Sequence, residues 1–222
     1  MGPAPEPRHQ FGTRVRDPLR WERGQALMQG VIGVNYLAEF QVNPSGAPPI
    51  QLEEDEYEIL PLLAGGAQWK LAGEQLTFGL EALVAFSGRA NLEAFASSGG
   101  AAVAVFDVDL LLIELYGGPF LSRFLGDGLR IYGGAGPLLQ WLSYDQDDGT
   151  EQVSADGSGG GVYARGGLEF LLPSRKLVGF GVRWSDSSLD FSQDFGDVEL
   201  EGLQLFVSYS YGLEPSSAFD DL

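Results

Sequence analysis

The 222-residue sequence has no cysteine and a single histidine, His9. The first absence excludes disulfide frameworks, thiolate metal centres and cysteine nucleophiles. The second leaves almost nothing for histidine-based catalysis or zinc binding. Basic side chains are scarce as well: 13 Lys and Arg stand against 31 Asp and Glu, for a formal charge of −18. That balance excludes a general nucleic-acid binder, whose affinity rests on neutralising phosphates. Long apolar runs are also missing. Residues 1–25 hold no signal-peptide core, and the expectation is that any leader has been removed. The best candidate for a spanning helix, Ala101–Leu121, carries Asp107, Asp109 and Glu114 and is broken by Gly117, Gly118 and Pro119. Each acid near a helix centre costs about 3 kcal/mol on insertion, so a helical span is excluded.

Glycine, at 32 residues, is abundant, and alternation with a period of two fills the chain. Such alternation marks strands with two unlike faces. Between Gln75 and Glu93, Leu76, Phe78, Leu80, Ala82, Val84, Phe86, Ala90 and Leu92 oppose Gln75, Thr77, Gly79, Glu81, Ser87, Arg89, Asn91 and Glu93. Seven further segments sort in the same way: 26–42, 56–71, 102–116, 129–144, 161–172, 177–185 and 203–213. In 102–116, Phe106, Val108, Leu110, Leu112 and Tyr116 form the apolar set opposite Asp107 and Asp109. Eight strands joined in order by turns predict an all-β, antiparallel, up-and-down barrel.

Three features place the apolar face outward, toward lipid, and make the barrel transmembrane. The polar face mixes charges with many glycines and admits Leu60, Leu62, Leu83, Leu138 and Leu142, as the crowded interior of an eight-stranded barrel requires. Its charges nearly balance: Glu39, Glu58, Glu81, Asp107, Asp109 and Glu169 meet Lys70, Arg89, Arg130, Arg165 and Arg183 in a predicted lumen ion-pair network. Arg89, Asp107, Asp109 and Arg130 suggest a cross-strand ladder. The connections also alternate. Residues 43–55, 94–100, 145–160 and 186–197 are long and lack Lys and Arg. On the other side 72–74 and 173–176 are tight, and 118–128 is expected to be longer. Short periplasmic turns and long external loops are the habit of outer-membrane barrels. A soluble lipocalin-like barrel with a hydrophobic ligand is the competing reading.

The stretches LTFGLEALVAFSGRANL and GVYARGGLEFLLPSRKLVGFGVRW, with the aromatic last strand LQLFVSYSYGL, resemble the small eight-stranded bacterial outer-membrane β-barrel proteins of the OmpA, OmpW and OmpX type. The resemblance spans residues 25–213. It implies a barrel domain at 26–213, a periplasmic segment at 1–25 and a C-terminal tail at 214–222, which is an addition unless Tyr209 and Tyr211 serve internally as the aromatic end of the last strand. The implied location is the bacterial outer membrane, with membrane lipid and lipopolysaccharide as partners. Enzymes of such barrels generally use a histidine, and His9 precedes the barrel, so the resemblance implies no catalysis. A structural or surface-interaction role is expected, with a narrow conduit or carrier for small hydrophobic compounds as the alternative. No cofactor is expected beyond a divalent cation at the external loops.

Asp145, Asp147 and Asp148 in DQDDGTE form the candidate cation site, since Ca2+ and Mg2+ require several oxygen ligands. A solvated acidic rim accounts for the same residues. The N-terminal RVRDPLRWER reads as a periplasmic helix, a plug or a disordered arm. If the loop acids bind a cation, titration with millimolar calcium raises the melting temperature; an unchanged melting curve retires the site.

Overall fold

The computed structural model describes residues 18–19, 21–42, 50–51, 59–98, 101–147, 152–191 and 197–212, with backbone alone at 38–42, 50–51, 89–98, 101–108, 144–147, 152–153 and 197. Eight long strands form a closed antiparallel ring: β1 (Ala26–Val42), β3 (Ile59–Ala72), β4 (Leu76–Ser98), β5 (Ala101–Leu125), β6 (Leu129–Asp147), β7 (Gln152–Leu171), β8 (Lys176–Phe191) and β9 (Asp197–Gly212). A two-residue strand, β2 (Ile50–Gln51), pairs with the end of β1. Each long strand pairs with its successor, and β1 pairs with β9 from Leu27↔Gly212 to Val42↔Val198. Closure removes both sheet edges and so satisfies the backbone within the wall.

One end of the ring is finished by tight turns. Gly73 (φ 96°), Gly126 (φ 66°) and Arg175 (φ 57°) take the left-handed conformation that lets the chain reverse in a few residues. The connection expected over 118–128 is shorter than the sequence suggested. β5 runs through Pro119 to Leu125, and the turn is confined to 126–128. At the other end the strands run past the expected loop boundaries, to Asp147 and Gln152 in one hairpin and to Phe191 and Asp197 in another. β4 and β5 reach 23 and 25 residues. About 9–11 tilted residues cross a bilayer, so this hairpin projects well beyond one.

The outer wall carries an apolar belt: Ile32, Leu63, Phe78, Leu80, Phe86, Leu115, Leu121, Leu139, Leu168, Phe170, Phe180 and Leu205 all face out. Phe180 is 63% exposed, whereas Arg183 on the same strand is 1% exposed. A water-soluble barrel has the opposite arrangement, so the lipocalin-like reading is overturned. Exposed aromatics border the belt on both sides. Trp69, Tyr209 and Tyr211 lie toward the tight turns, with the Lys176 ammonium 5.7 Å over the Tyr209 ring. Tyr36, Trp141 and Trp184 lie toward the long-strand end. Beyond that second girdle the outer wall turns acidic, with Asp156, Asp186, Asp190, Glu199 and Glu201 exposed. Aromatic girdles at both interfaces are where amphipathic rings settle in a bilayer.

Phe180 stands within the apolar belt, between Lys176 and Asp186 on β8. Phe180→Arg is expected to cost about 2–4 kcal/mol in lipid, whereas Asp186→Arg, beyond the girdle, costs about 0–1 kcal/mol. Reversible denaturant unfolding in lipid vesicles measures both.

Candidate functional site

The lumen is filled in alternating layers, since every second residue of each strand points inward. Nearest the tight turns lies an apolar layer of Trp21, Leu27, Phe120 and Leu177. A middle apolar layer contains Val31, Leu62, Ala64, Leu83, Ala85, Tyr116, Leu138, Tyr163 and Phe206. A third, of Leu37, Leu60, Leu110, Leu112, Leu142, Leu189, Val198 and Leu200, closes the long-strand end. Two ionic layers separate these three.

The lower ionic layer is a closed hydrogen-bonded ring. Arg130 Nη1 donates to Glu169 Oε2 (2.5 Å), and Gln29 Nε2 donates to Glu169 Oε1 (3.1 Å). Arg165 Nη2 donates to Gln29 Oε1 (2.9 Å) and to Glu81 Oε2 (2.6 Å). Gln68 Nε2 donates to Glu81 Oε2 (2.9 Å), and Arg130 Nη2 donates to Gln68 Oε1 (2.8 Å), which completes the circuit. Each glutamine passes the hydrogen-bond chain from one ion pair to the next, a role that needs a donor and an acceptor on one side chain. Ser208 and Ser210 hydroxyls also donate to Glu169 Oε1, and the Tyr163 hydroxyl and Arg165 Nε donate to Glu81 Oε1. Both ion pairs are fully shielded from solvent.

The upper layer centres on Glu114. It accepts from Arg183 Nη2 (2.5 Å), Gln204 Nε2 (2.8 Å) and Gln140 Nε2 (2.8 Å). Gln140 in turn accepts from the Ser187 hydroxyl. Arg183 lies directly opposite Arg165 in the β7–β8 register, a like-charge pairing that is unfavourable by itself. Separate carboxylates from across the lumen, Glu114 and Glu81, neutralise the two. Arg183 also stacks 4.2 Å over the Tyr116 ring, and Arg130 sits among Trp21, Phe120 and Tyr132 at 5.2, 5.9 and 5.4 Å. These cation–π contacts partly serve guanidinium faces whose Nε atoms have no hydrogen-bond partner in the protein.

Three arginines and three glutamates thus neutralise one another inside a wall that is apolar outside. Hydrocarbon tolerates charge only where it is paired internally, as here, and backbone only where its hydrogen bonds are made within the wall. Even strand number, tight turns at one end and extended hairpins at the other complete the pattern. The chain is an outer-membrane β-barrel. Outer-membrane barrels in general keep short turns on the periplasmic side and long connections outside.

No protein-family model and no curated protein matches the sequence. Solved structures similar in fold include Ail, the attachment invasion locus protein of Yersinia pestis, at 15% identity over 86% of this chain and 100% of that chain, with a TM-score of 0.46. Another is the outer membrane protein OprG of Pseudomonas aeruginosa, at 12% identity over 87% and 98% with a TM-score of 0.48. A third is a major outer membrane protein of Thermus thermophilus, at 11% identity over 86% and 100% with a TM-score of 0.49.

Among the residues expected in the lumen, Glu81, Arg130, Arg165, Glu169 and Arg183 form the ion pairs above, and Lys70 is buried with its ammonium donating to the Trp21 carbonyl (2.6 Å). Asp109 is a correction: it is exposed on the outer wall, while Leu110, Leu112 and Tyr116, expected to face lipid, line the lumen. The cause is the parity of β5. Glu114 must face inward to reach Arg183, and residues an odd number of steps away then face out. Arg130 accordingly pairs with Glu169 on β7, and the proposed ladder through Asp109 does not form. For Glu39, Arg89, Asp107, Asp145 and Asp147 only the backbone is described, and Glu58 and Asp148 lie outside the described residues. Glu114 is the ligand that sequence reasoning missed. It lies in LLLIEL, Leu110–Leu115, where alternation gives no signal for which face points inward.

Glu114→Ala leaves the Arg183 guanidinium buried without its carboxylate, a change that costs about 3–5 kcal/mol. Removing both charges, as Glu114→Leu with Arg183→Met, is expected to cost far less. Denaturant unfolding in lipid, read beside the heat-dependent shift in gel mobility, separates the two outcomes.

Proposed function

We propose that the protein is a structural and surface-interaction barrel of the outer membrane, without a diffusion channel and without catalysis. The layered lumen supports this reading most directly. Two ionic layers bound at 2.5–2.6 Å alternate with three apolar ones, so an ion crossing the barrel must break buried charge pairs and also enter apolar layers. Outward function then falls to the external strands. β4 and β5, at 23 and 25 residues, carry a hairpin clear of the bilayer, where it meets lipopolysaccharide or a neighbouring surface. A divalent cation at Asp145, Asp147 and Asp148 belongs to the same proposal, as a bridge from loop carboxylates to lipid phosphates.

A second reading, a conduit or carrier for small hydrophobic compounds, draws support from the external apolar layer, where eight aliphatic side chains cluster. A side opening at a proline would favour it. Pro61 sits in unbroken register opposite Val34. Near Pro137 the β5–β6 pairing skips from Tyr116↔Leu138 to Phe120↔Gly134, as Pro119 and Pro137 lack an N–H to donate. The backbones remain pressed together there: a Cβ placed on Gly118 would lie 2.3 Å from the Ala135 carbonyl oxygen. The seam is therefore closed by close approach of two glycine-bearing strands, which favours the first reading.

Planar-bilayer recording tests the proposal. The expected result is conductance near zero, and large stable channels overturn it. Uptake of alkanes by vesicles containing the protein, above that of empty vesicles, would transfer support to the carrier.

A further inference from the structure

The segment before β1 enters the periplasmic mouth of the barrel. Trp21 is 5% exposed, stacked on Phe120 with ring centroids 5.9 Å apart and planes 13° from parallel. It packs with Leu27 and Leu177 from two different strands, and Leu19 and Phe124 lie against the same cluster. Its ring also lies 5.2 Å from the guanidinium of Arg130, a member of the lower ionic ring. An aromatic side chain thus covers that ring on its periplasmic side.

The backbone is arranged to hold the indole there. Gly24 takes a left-handed conformation (φ 83°) and folds the segment back, so that the Trp21 Nε1 donates to the Gln25 carbonyl at 3.0 Å. The Glu22 amide donates to Gln25 Oε1 at 2.9 Å. Three bonds then tie the segment to one residue of β3. The Gly24 amide donates to the Lys70 carbonyl (2.8 Å), the Lys70 amide to the Gln25 carbonyl (3.3 Å), and the Lys70 ammonium to the Trp21 carbonyl (2.6 Å). Lys70 is largely buried, and it clamps the stopper through both its backbone and its side chain.

From this geometry we infer that Trp21 is a built-in seal that keeps periplasmic water out of the lower ionic layer, with Lys70 as its latch. The physical need is specific. Charge pairs in a low-dielectric lumen keep their strength only while water is excluded. The tight turns leave an open ring at this end, and among the described residues the strands cover it with Leu27, Phe120 and Leu177, with Phe124 and Leu171 only partly buried beside them. The seal accounts for a large aromatic residue ahead of the barrel, among the charges of RVRDPLRWER. It rests on the closed-barrel reading for its purpose, but it is tested separately.

The absence of cysteine makes the test direct, since an introduced thiol is unique. Ser210 is fully buried, donates to Glu169 and lies opposite Leu177 in the β8–β9 register, just inside the seal. Ser210→Cys in the full-length protein is treated with sulfonatoethyl methanethiosulfonate, a charged thiol reagent, with Glu74→Cys on the exposed β3–β4 turn as the accessible control. Slow labelling of Ser210→Cys is expected, and Trp21→Ala should accelerate it by about tenfold or more by opening the site to solvent. Lys70→Met, which releases the latch and keeps the indole, should give a smaller acceleration and covers the case in which Trp21→Ala does not fold. Gel heat-modifiability confirms folding of each variant. Labelling of Ser210→Cys as fast as the control, or unchanged labelling in folded Trp21→Ala or Lys70→Met, overturns the seal. Conductance reads the whole lumen and labelling only its mouth, so a failure of one proposal is distinguishable from a failure of the other.

Discussion

Hydrocarbon supplies no hydrogen bonds and no counter-ions, and that constraint organises this protein. Every strand must satisfy its backbone in the wall, which the closed ring from β1 to β9 achieves. Every charge at membrane depth must find its partner inside. Arg130 with Glu169, Arg165 with Glu81 and Arg183 with Glu114 do so with solvent-shielded contacts at 2.5–2.6 Å. Buried ion pairs usually contribute little to net stability, because desolvation offsets attraction. Their value here lies in specificity. Arg130 and Glu169 face each other across the β6–β7 register, whereas Arg165–Glu81 and Arg183–Glu114 reach across the lumen from β7 to β4 and from β8 to β5, so the three together constrain the relative register of β4 to β8.

The glutamines make that register stricter. Gln29 and Gln68 connect the two lower pairs into a ring across β1, β3, β4, β6 and β7. Slipping one strand by a single residue would turn a ring member toward lipid. Apolar layers above and below prevent water from competing for the same hydrogen bonds, and the arginines gain aromatic faces from Tyr116, Tyr132, Phe120 and Trp21. Packing and polar satisfaction therefore act together, and the lumen behaves as a core cut into alternating slabs.

The outer wall shows the same logic along the membrane normal. Basic side chains whose positions are described lie in the lumen or at the tight-turn end, among them Arg23, Arg123, Arg175 and Lys176. The outer wall at the long-strand end is acidic, with Asp186 directly opposite Glu201 in the β8–β9 register. Trp184 marks the boundary. Its indole N–H donates to Glu201 Oε1 at 2.8 Å while its ring adjoins the apolar belt. An amphipathic ring suits that interface, with one end greasy and the other hydrogen-bonded.

Alternation alone determined the strand class, the approximate number of strands and, through glycines and balanced charge on one face, the inverted polarity of the barrel. These properties are local, because a period of two is written in consecutive residues. Glu81, Arg130, Arg165, Glu169 and Arg183 were legible for the same reason. The stretch LLLIEL at Leu110–Leu115 was not, since it is apolar on both faces and its period carries no preference. Only closure of the ring decided it, by bringing Arg183 of β8 across the lumen to Glu114 and so sending Asp109 outward. The position of Trp21 was also beyond the sequence, because a residue ahead of the first strand has no alternation to read. Its place follows from the mouth that the assembled strands create.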